Sequence, residues 1–152
     1  MPRRSVATFA VLLAFLCACR TTQPERIDTS APGWTQRAGQ AVWTPSRGAG
    51  EVVVDLQVWH RTGDECLLDV SKASLPFVFA HVTGGTWRIE TASGQRHSAR
   101  GVPPASIGWL QLSRSLGGQF PVAPWQFDRV DTGVWLLTNP HTGERFDGTL
   151  TP

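Results

Sequence analysis

The feature that most constrains the fold is a series of short, alternating apolar segments separated by glycine-containing turns. In the first segment, EVVVDLQVW over 51–59, Val52, Val54, Leu56 and Val58 share one face. Alternation of period two predicts a strand with one buried face. Similar segments lie at 66–70, 77–82, 86–91, 95–100, 125–130, 134–138 and 145–150, and 41–43 is a candidate for a further strand. Short strands joined by glycine turns predict an antiparallel meander.

One segment breaks this pattern. Residues 102–119 begin with Pro103-Pro104 and end with Gly117-Gly118, and apolar residues between them follow the spacing of one helix face: Ala105, Trp109, Leu112 and Leu116. Proline suits a first helical turn and glycine a helix end, so a helix is predicted over about 104–116. Gly108 should weaken it. The fold class is therefore α+β: a curved antiparallel sheet of about 7–8 strands, a half-barrel, with one short helix on its concave face.

The N-terminus predicts secretion. Arg3 and Arg4 precede an uncharged apolar run over 6–18, which is shorter than the roughly 20 residues that a membrane span requires. The run ends in LCAC over 16–19, which resembles the bacterial lipobox. Leu16 and Ala18 occupy its aliphatic and small positions, and Cys19 its acylated position. An ordinary secretory signal is the alternative interpretation.

This resemblance implies a signal peptide over 1–18 and an N-terminus at Cys19 that carries palmitate-type acyl chains. Bacterial lipoproteins without Asp after the cysteine usually reach the outer membrane, and Arg20 occupies that position here. An outer-membrane lipoprotein facing the periplasm is therefore expected. Residues 19–33 are polar and contain proline, which predicts a flexible tether. Residues 34–152 would form a single β-rich domain.

Charge excludes one class of partner. The full chain has 14 Lys+Arg and 12 Asp+Glu, and removing Arg3 and Arg4 with the signal leaves 12 of each. No basic cluster survives for nucleic acid. The partners expected are the membrane, through the lipid, and a lipid or lipoprotein ligand, with the protein itself a monomer.

Motifs for catalysis are missing from the sequence. There is no Gly-x-Ser-x-Gly elbow, no His-Glu-x-x-His and no zinc-ligand spacing among His60, His81, His97 and His141. No catalytic residue, no metal and no cofactor is predicted, and the protein is not expected to be an enzyme. Cys66, in the strand-like CLLDV, is expected to be a buried apolar residue rather than a reactive thiol.

The middle of the chain resembles a known superfamily. In residues 77–121, FVFAHVTGGTWRIETASGQRHSARGVPPASIGWLQLSRSLGGQFP, short strands with glycine turns precede a helix after a small-residue and proline loop. This layout is similar to the periplasmic lipoprotein-carrier and lipoprotein-receptor superfamily (LolA/LolB-like), and extends over about 50–150. The resemblance implies a half-barrel that binds acyl chains or lipidated proteins. The receptor branch works with an exposed apolar residue on a protruding loop, for which Leu75 is the nearest candidate.

Two functions follow. In the first, a cavity between sheet and helix holds an acyl chain, lined by Val54, Phe79, Trp87, Trp109, Leu112 and Trp135. In the second, these residues fill a core, and the protein is an envelope scaffold or accessory lipoprotein that acts by protein–protein contact. An apolar pocket of several hundred Å³ would favour the first, and a closed interior the second.

Overall fold

The predicted α+β fold is confirmed. The computed structural model describes residues 27–151, and in it a single open antiparallel sheet curves around one short helix. The signal peptide, Cys19 and the first part of the predicted tether lie outside the described residues. The elements are β1 (Thr35–Thr44), β2 (Val52–Arg61), β3 (Glu65–Lys72), β4 (Leu75–Val82), β5 (Thr86–Thr91), β6 (Arg96–Arg100), α1 (Gly108–Leu116), β7 (Gln126–Asp131), β8 (Val134–Thr138) and β9 (Arg145–Thr151).

Over the described residues the sheet has nine strands in the order β6-β5-β4-β3-β2-β1-β9-β8-β7. It exceeds the predicted seven or eight because the candidate strand at 41–43 extends over Thr35–Thr44 and joins the two meanders by pairing with both β2 and β9. Strands β6 and β7 are the two edges of the sheet and do not pair with each other. The curved sheet therefore stays open, as a half-barrel.

In β2, the side chains alternate between the two faces of the sheet as the sequence predicted. Val54, Leu56 and Val58 are buried on the concave face, where the helix lies. Val53, which precedes Val54 in the strand, points the other way and is 61% exposed on the convex face.

The helix begins at Gly108, four residues later than the predicted 104. The preceding carbonyl groups have other partners, since the Trp125 indole Nε1–H donates to Ala105 O at 2.7 Å and the Gln111 amide donates to Pro104 O at 3.0 Å. Ile107 is extended, with φ of −113° and ψ of 96°. Residues 104–107 therefore form a turn before the helix, in which the Ile107 N–H donates to Pro104 O at 3.3 Å.

Candidate functional site

The concave face of the sheet is filled by aromatic side chains beneath the N-terminal half of α1. The ring centroid of Trp109 lies 4.7 Å from that of Phe146, 5.0 Å from that of Trp43 and 5.9 Å from that of Phe77. The Trp125 ring centroid also lies near that of Phe146, at 6.0 Å. Aromatic rings at 4.5–7 Å in tilted arrangements pack favourably. This cluster occupies the position where the sequence predicted an acyl-binding hollow.

Polar contacts fasten the helix to its surroundings. Gln111, which is fully buried, donates from Nε2 to Pro104 O and accepts from the Val122 backbone N–H at 2.8 Å. Ser113 Oγ donates to Cys66 O on β3 at 3.3 Å. Displacing the helix would break these bonds inside the protein, and an unsatisfied buried polar group costs about 1–3 kcal/mol. The contacts therefore hold α1 in place.

Gly108 has a packing role that the sequence did not reveal. A Cβ atom at this position would lie 2.7 Å from Glu144 Oε1 and 2.8 Å from Trp125 Cη2. The Glu144 carboxylate thus lies against the first turn of the helix, where it accepts a hydrogen bond from Trp43 Nε1 at 3.0 Å. Burial raises the pKa of Glu144, and the hydrogen bond from Trp43 partly opposes that rise. Glycine is needed at position 108 because the helix backbone, the Glu144 carboxylate and the Trp125 indole leave no space for a side chain.

Trp135 closes the other end of the hollow. Its ring lies over Gly148, where an added Cβ would come within 2.4 Å of Trp135 Cζ2. Its indole N–H is buried and has no hydrogen-bond partner among the described residues. Beside it, under Leu116 of the helix, is a cavity of about 50 Å³. Pockets that hold small organic ligands measure about 300–1,000 Å³, so this cavity is too small for an acyl chain.

The six predicted site residues do not line one cavity. Val54, Trp109, Leu112 and Trp135 are buried in the concave core, with exposed fractions of 7% or less, and Trp87 is half-buried at its margin. Phe79 lies on the opposite, convex face, where the Arg88 guanidinium lies 5.8 Å from its ring centroid. A β-bulge where β3 pairs with β4 lets Phe77, rather than Phe79, reach the core. Phe79 therefore cannot share a concave pocket with the other five.

The convex face carries ion pairs. Glu65 accepts from Arg61 and contacts His81 Nε2 at 2.9 Å. Glu90 bridges two further arginines, Arg88 at 3.4 Å and Arg96 at 3.0 Å. Charged neighbours of opposite sign on adjacent strands stabilise a solvated sheet face modestly.

The larger surface grooves lie away from the helix. One of about 630 Å³ is lined by Ile27, Asp28, His81, Thr86, Trp87, Arg88, Ser98, Ala99 and Arg100. Another of about 380 Å³ is lined by Gln40, Ala41, Val42, Val53, Asp147, Gly148 and Thr149. The first groove is bounded by the start of the described chain, so Ile27 and Asp28, part of the predicted tether, lie against the domain.

Cys66 is buried as predicted. Burial raises the pKa of its thiol to about 12, although a hydrogen bond from Ser113 opposes the rise. A thiol that stays protonated at neutral pH is a poor nucleophile. Within residues 27–151, no group of three or more His, Cys, Asp and Glu side chains is arranged to hold a metal ion.

Among residues 27–151, five large apolar side chains are exposed: Val53, Leu75, Val102, Phe120 and Val130. Leu75 is 69% exposed beside the two-residue turn Ala73-Ser74, whose φ angles of 50° and 64° are left-handed. Phe120, which the sequence analysis missed, is 91% exposed. Phe120 follows Gly117-Gly118, where the sequence predicted the end of the helix. A residue just beyond a helix end is expected in a surface loop, and this position was the signal that could have identified it.

No protein-family model and no curated protein matches the chain. No helix in the described part of the chain has the length and apolar character needed to cross a membrane.

Proposed function

We propose that this protein is an outer-membrane lipoprotein that serves as a scaffold or accessory component of the cell envelope and acts through contacts of its surface. The observation that carries this proposal is the filled concave face, where the cavity beside α1 measures about 50 Å³. The lipobox-like LCAC over 16–19 supports the anchor and the envelope location.

The fixed position of the helix supports the same conclusion. An acyl chain could enter the hollow only if α1 moved away from the aromatic cluster. That movement would expose Trp109, Leu110 and Leu112, which are 7%, 0% and 0% exposed. Exposing each such side chain costs about 1.5–3 kcal/mol, and the buried bonds of Gln111 would break as well.

A second candidate is the lipoprotein-receptor function that the superfamily resemblance implies. Leu75 favours it, because it is an exposed apolar residue beside a tight hairpin turn. In this function, α1 would open to admit an acyl chain while Leu75 contacts the membrane or the lipidated cargo.

Native mass spectrometry separates the two candidates. Protein purified gently from membranes, with its own acyl group accounted for by intact mass, should carry no additional lipid if the core stays filled. A fluorescent fatty-acid probe should likewise show no saturable binding. One co-purifying acyl ligand per chain, lost in a Leu112→Trp variant but kept in a convex-face Val53→Trp control, would contradict the scaffold proposal and support the receptor function.

A further inference from the structure

Exposed apolar side chains collect at one end of the half-barrel. We name this end the tether rim and define it as residues 62–64, 83–85, 101–102, 117–120 and 130–133. Strand pairing places these segments at the same end of the sheet: Thr86 pairs with Arg100, Thr35 with His60, Ala38 with Thr151, and Val134 with Thr149. The Gln119 side chain donates to Asp64 O at 2.8 Å, which joins the end of the helix to the β2–β3 turn. Of the five exposed large apolar residues in the described part of the chain, three belong to this rim: Val102, Phe120 and Val130.

The described chain begins at the same rim. Ile27 lines a groove with Thr86 and Arg100, and the Trp34 ring lies 5.0 Å beneath the Arg61 guanidinium at the end of β2. Cys19 precedes Ile27 by eight residues. A chain spans at most 3.3–3.6 Å per residue, so an acylated Cys19 would hold Ile27 within about 28 Å of the bilayer.

Arginines lie next to the tether rim. Arg37 and Arg129 lie beside the last turn of the helix, Arg100 lies at the end of β6, and Arg114 donates to the Phe120 carbonyl at 3.1 Å. Asp64 and Asp131 are acidic side chains of the same rim. Guanidinium groups bind lipid phosphates, and apolar side chains beside them enter the interfacial layer.

We propose that the tether rim is a membrane-docking face on which Phe120, Val102 and Val130 rest in the interface of the bilayer that holds the lipid anchor. This inference depends on the acylation of Cys19 that the proposed function includes. Three isolated apolar residues bind a bilayer weakly by themselves. An anchor within about 28 Å raises their effective concentration at the surface, so weak contacts suffice.

Docking would also orient the protein. The turn that carries Leu75 lies at the opposite rim, one length of β3 away, and the eight residues of β3 span about 27 Å at 3.4 Å per residue. Leu75 would then project into the periplasm, where a protein partner can reach it.

The test compares two exposed apolar positions, one at each rim. Phe120→Cys and Leu75→Cys are each produced in the acylated protein, labelled with an environment-sensitive fluorophore and reconstituted in phosphatidylethanolamine/phosphatidylglycerol vesicles. The buried Cys66 does not compete for the label, and the expected acylation consumes the Cys19 thiol. Intact mass first establishes the lipid on Cys19.

The label at 120 should show blue-shifted emission and at least twofold quenching by lipids with brominated acyl chains. The label at 75 should show neither. A further Val130→Asp substitution should reduce the quenching at 120. If the acylated protein shows aqueous emission at 120, or deeper burial at 75, the docking face is wrong while the anchor stands. A chain without lipid on Cys19 overturns both the anchor and the docking face.

Discussion

The concave and convex faces of the same sheet have opposite characters. The concave face presents tryptophan, phenylalanine and aliphatic side chains to a helix that is held by buried hydrogen bonds. The convex face presents ion pairs centred on Glu65 and Glu90. The difference indicates that the concave face stabilises the fold, whereas the convex face is exposed to solvent.

The largest expected effect comes from truncating the concave cluster. Trp109→Ala should reduce the free energy of unfolding by about 3–5 kcal/mol, because a large side chain that contacts three aromatic rings leaves a cavity. Phe79→Ala, on the convex face of β4, is the matched control and should cost about 1 kcal/mol, near the typical value for a point mutation. Urea denaturation of both variants measures the difference. Equal losses would contradict the assignment of the two faces.

An intermediate effect is expected at Gly108. Alanine favours helix by about 1 kcal/mol over glycine, yet Gly108→Ala should destabilise the protein by about 1–3 kcal/mol because its methyl group overpacks Glu144 and Trp125. Gly84→Ala is the control, since nothing lies within 4 Å of an added Cβ there. Thermal unfolding of the two variants tests this, and a Gly108→Ala variant more stable than the parent would show that the contact at the helix start is loose.

The smallest effect concerns Glu144 and pH. Burial raises the pKa of Glu144 above its ordinary value of 4.5, so the folded protein binds this proton more tightly than the unfolded chain does. The contribution of Glu144 to stability therefore falls as pH rises from about 4.5 through the raised pKa. Glu144→Gln keeps an acceptor for Trp43 without a charge.

The free energy of unfolding, measured in urea from pH 4 to pH 8, should show that Glu144→Gln becomes more stable relative to the parent as pH rises, because the variant has no carboxylate to ionise at this buried position. The exposed Glu51→Gln is the control and should follow the parent. A Glu144→Gln variant that loses stability relative to the parent above pH 6 would indicate that the charged carboxylate stabilises the helix start.

Much of the concave core was predictable, but one site residue was misplaced. The alternation in β2 predicted the buried set that includes Val54, and the apolar spacing in α1 predicted the burial of Trp109 and Leu112. In β4, five of the six residues in FVFAHV are apolar, so alternation cannot distinguish the faces. The bulge opposite Val70 then decides that Phe77 contacts the core and Phe79 does not.

By itself, the sequence determined the strands, the single helix and the fold class, because period-two alternation and glycine turns are local properties of the chain. It also carries the lipobox-like LCAC on which the proposed envelope location rests. Only the tertiary structure decided whether the hollow is open, because that depends on how the volumes of Trp43, Trp109 and Phe146 add up across distant strands. The gathering of Val102, Phe120 and Val130 at the rim where the described chain begins likewise follows from strand pairing, which brings together residues far apart in the chain.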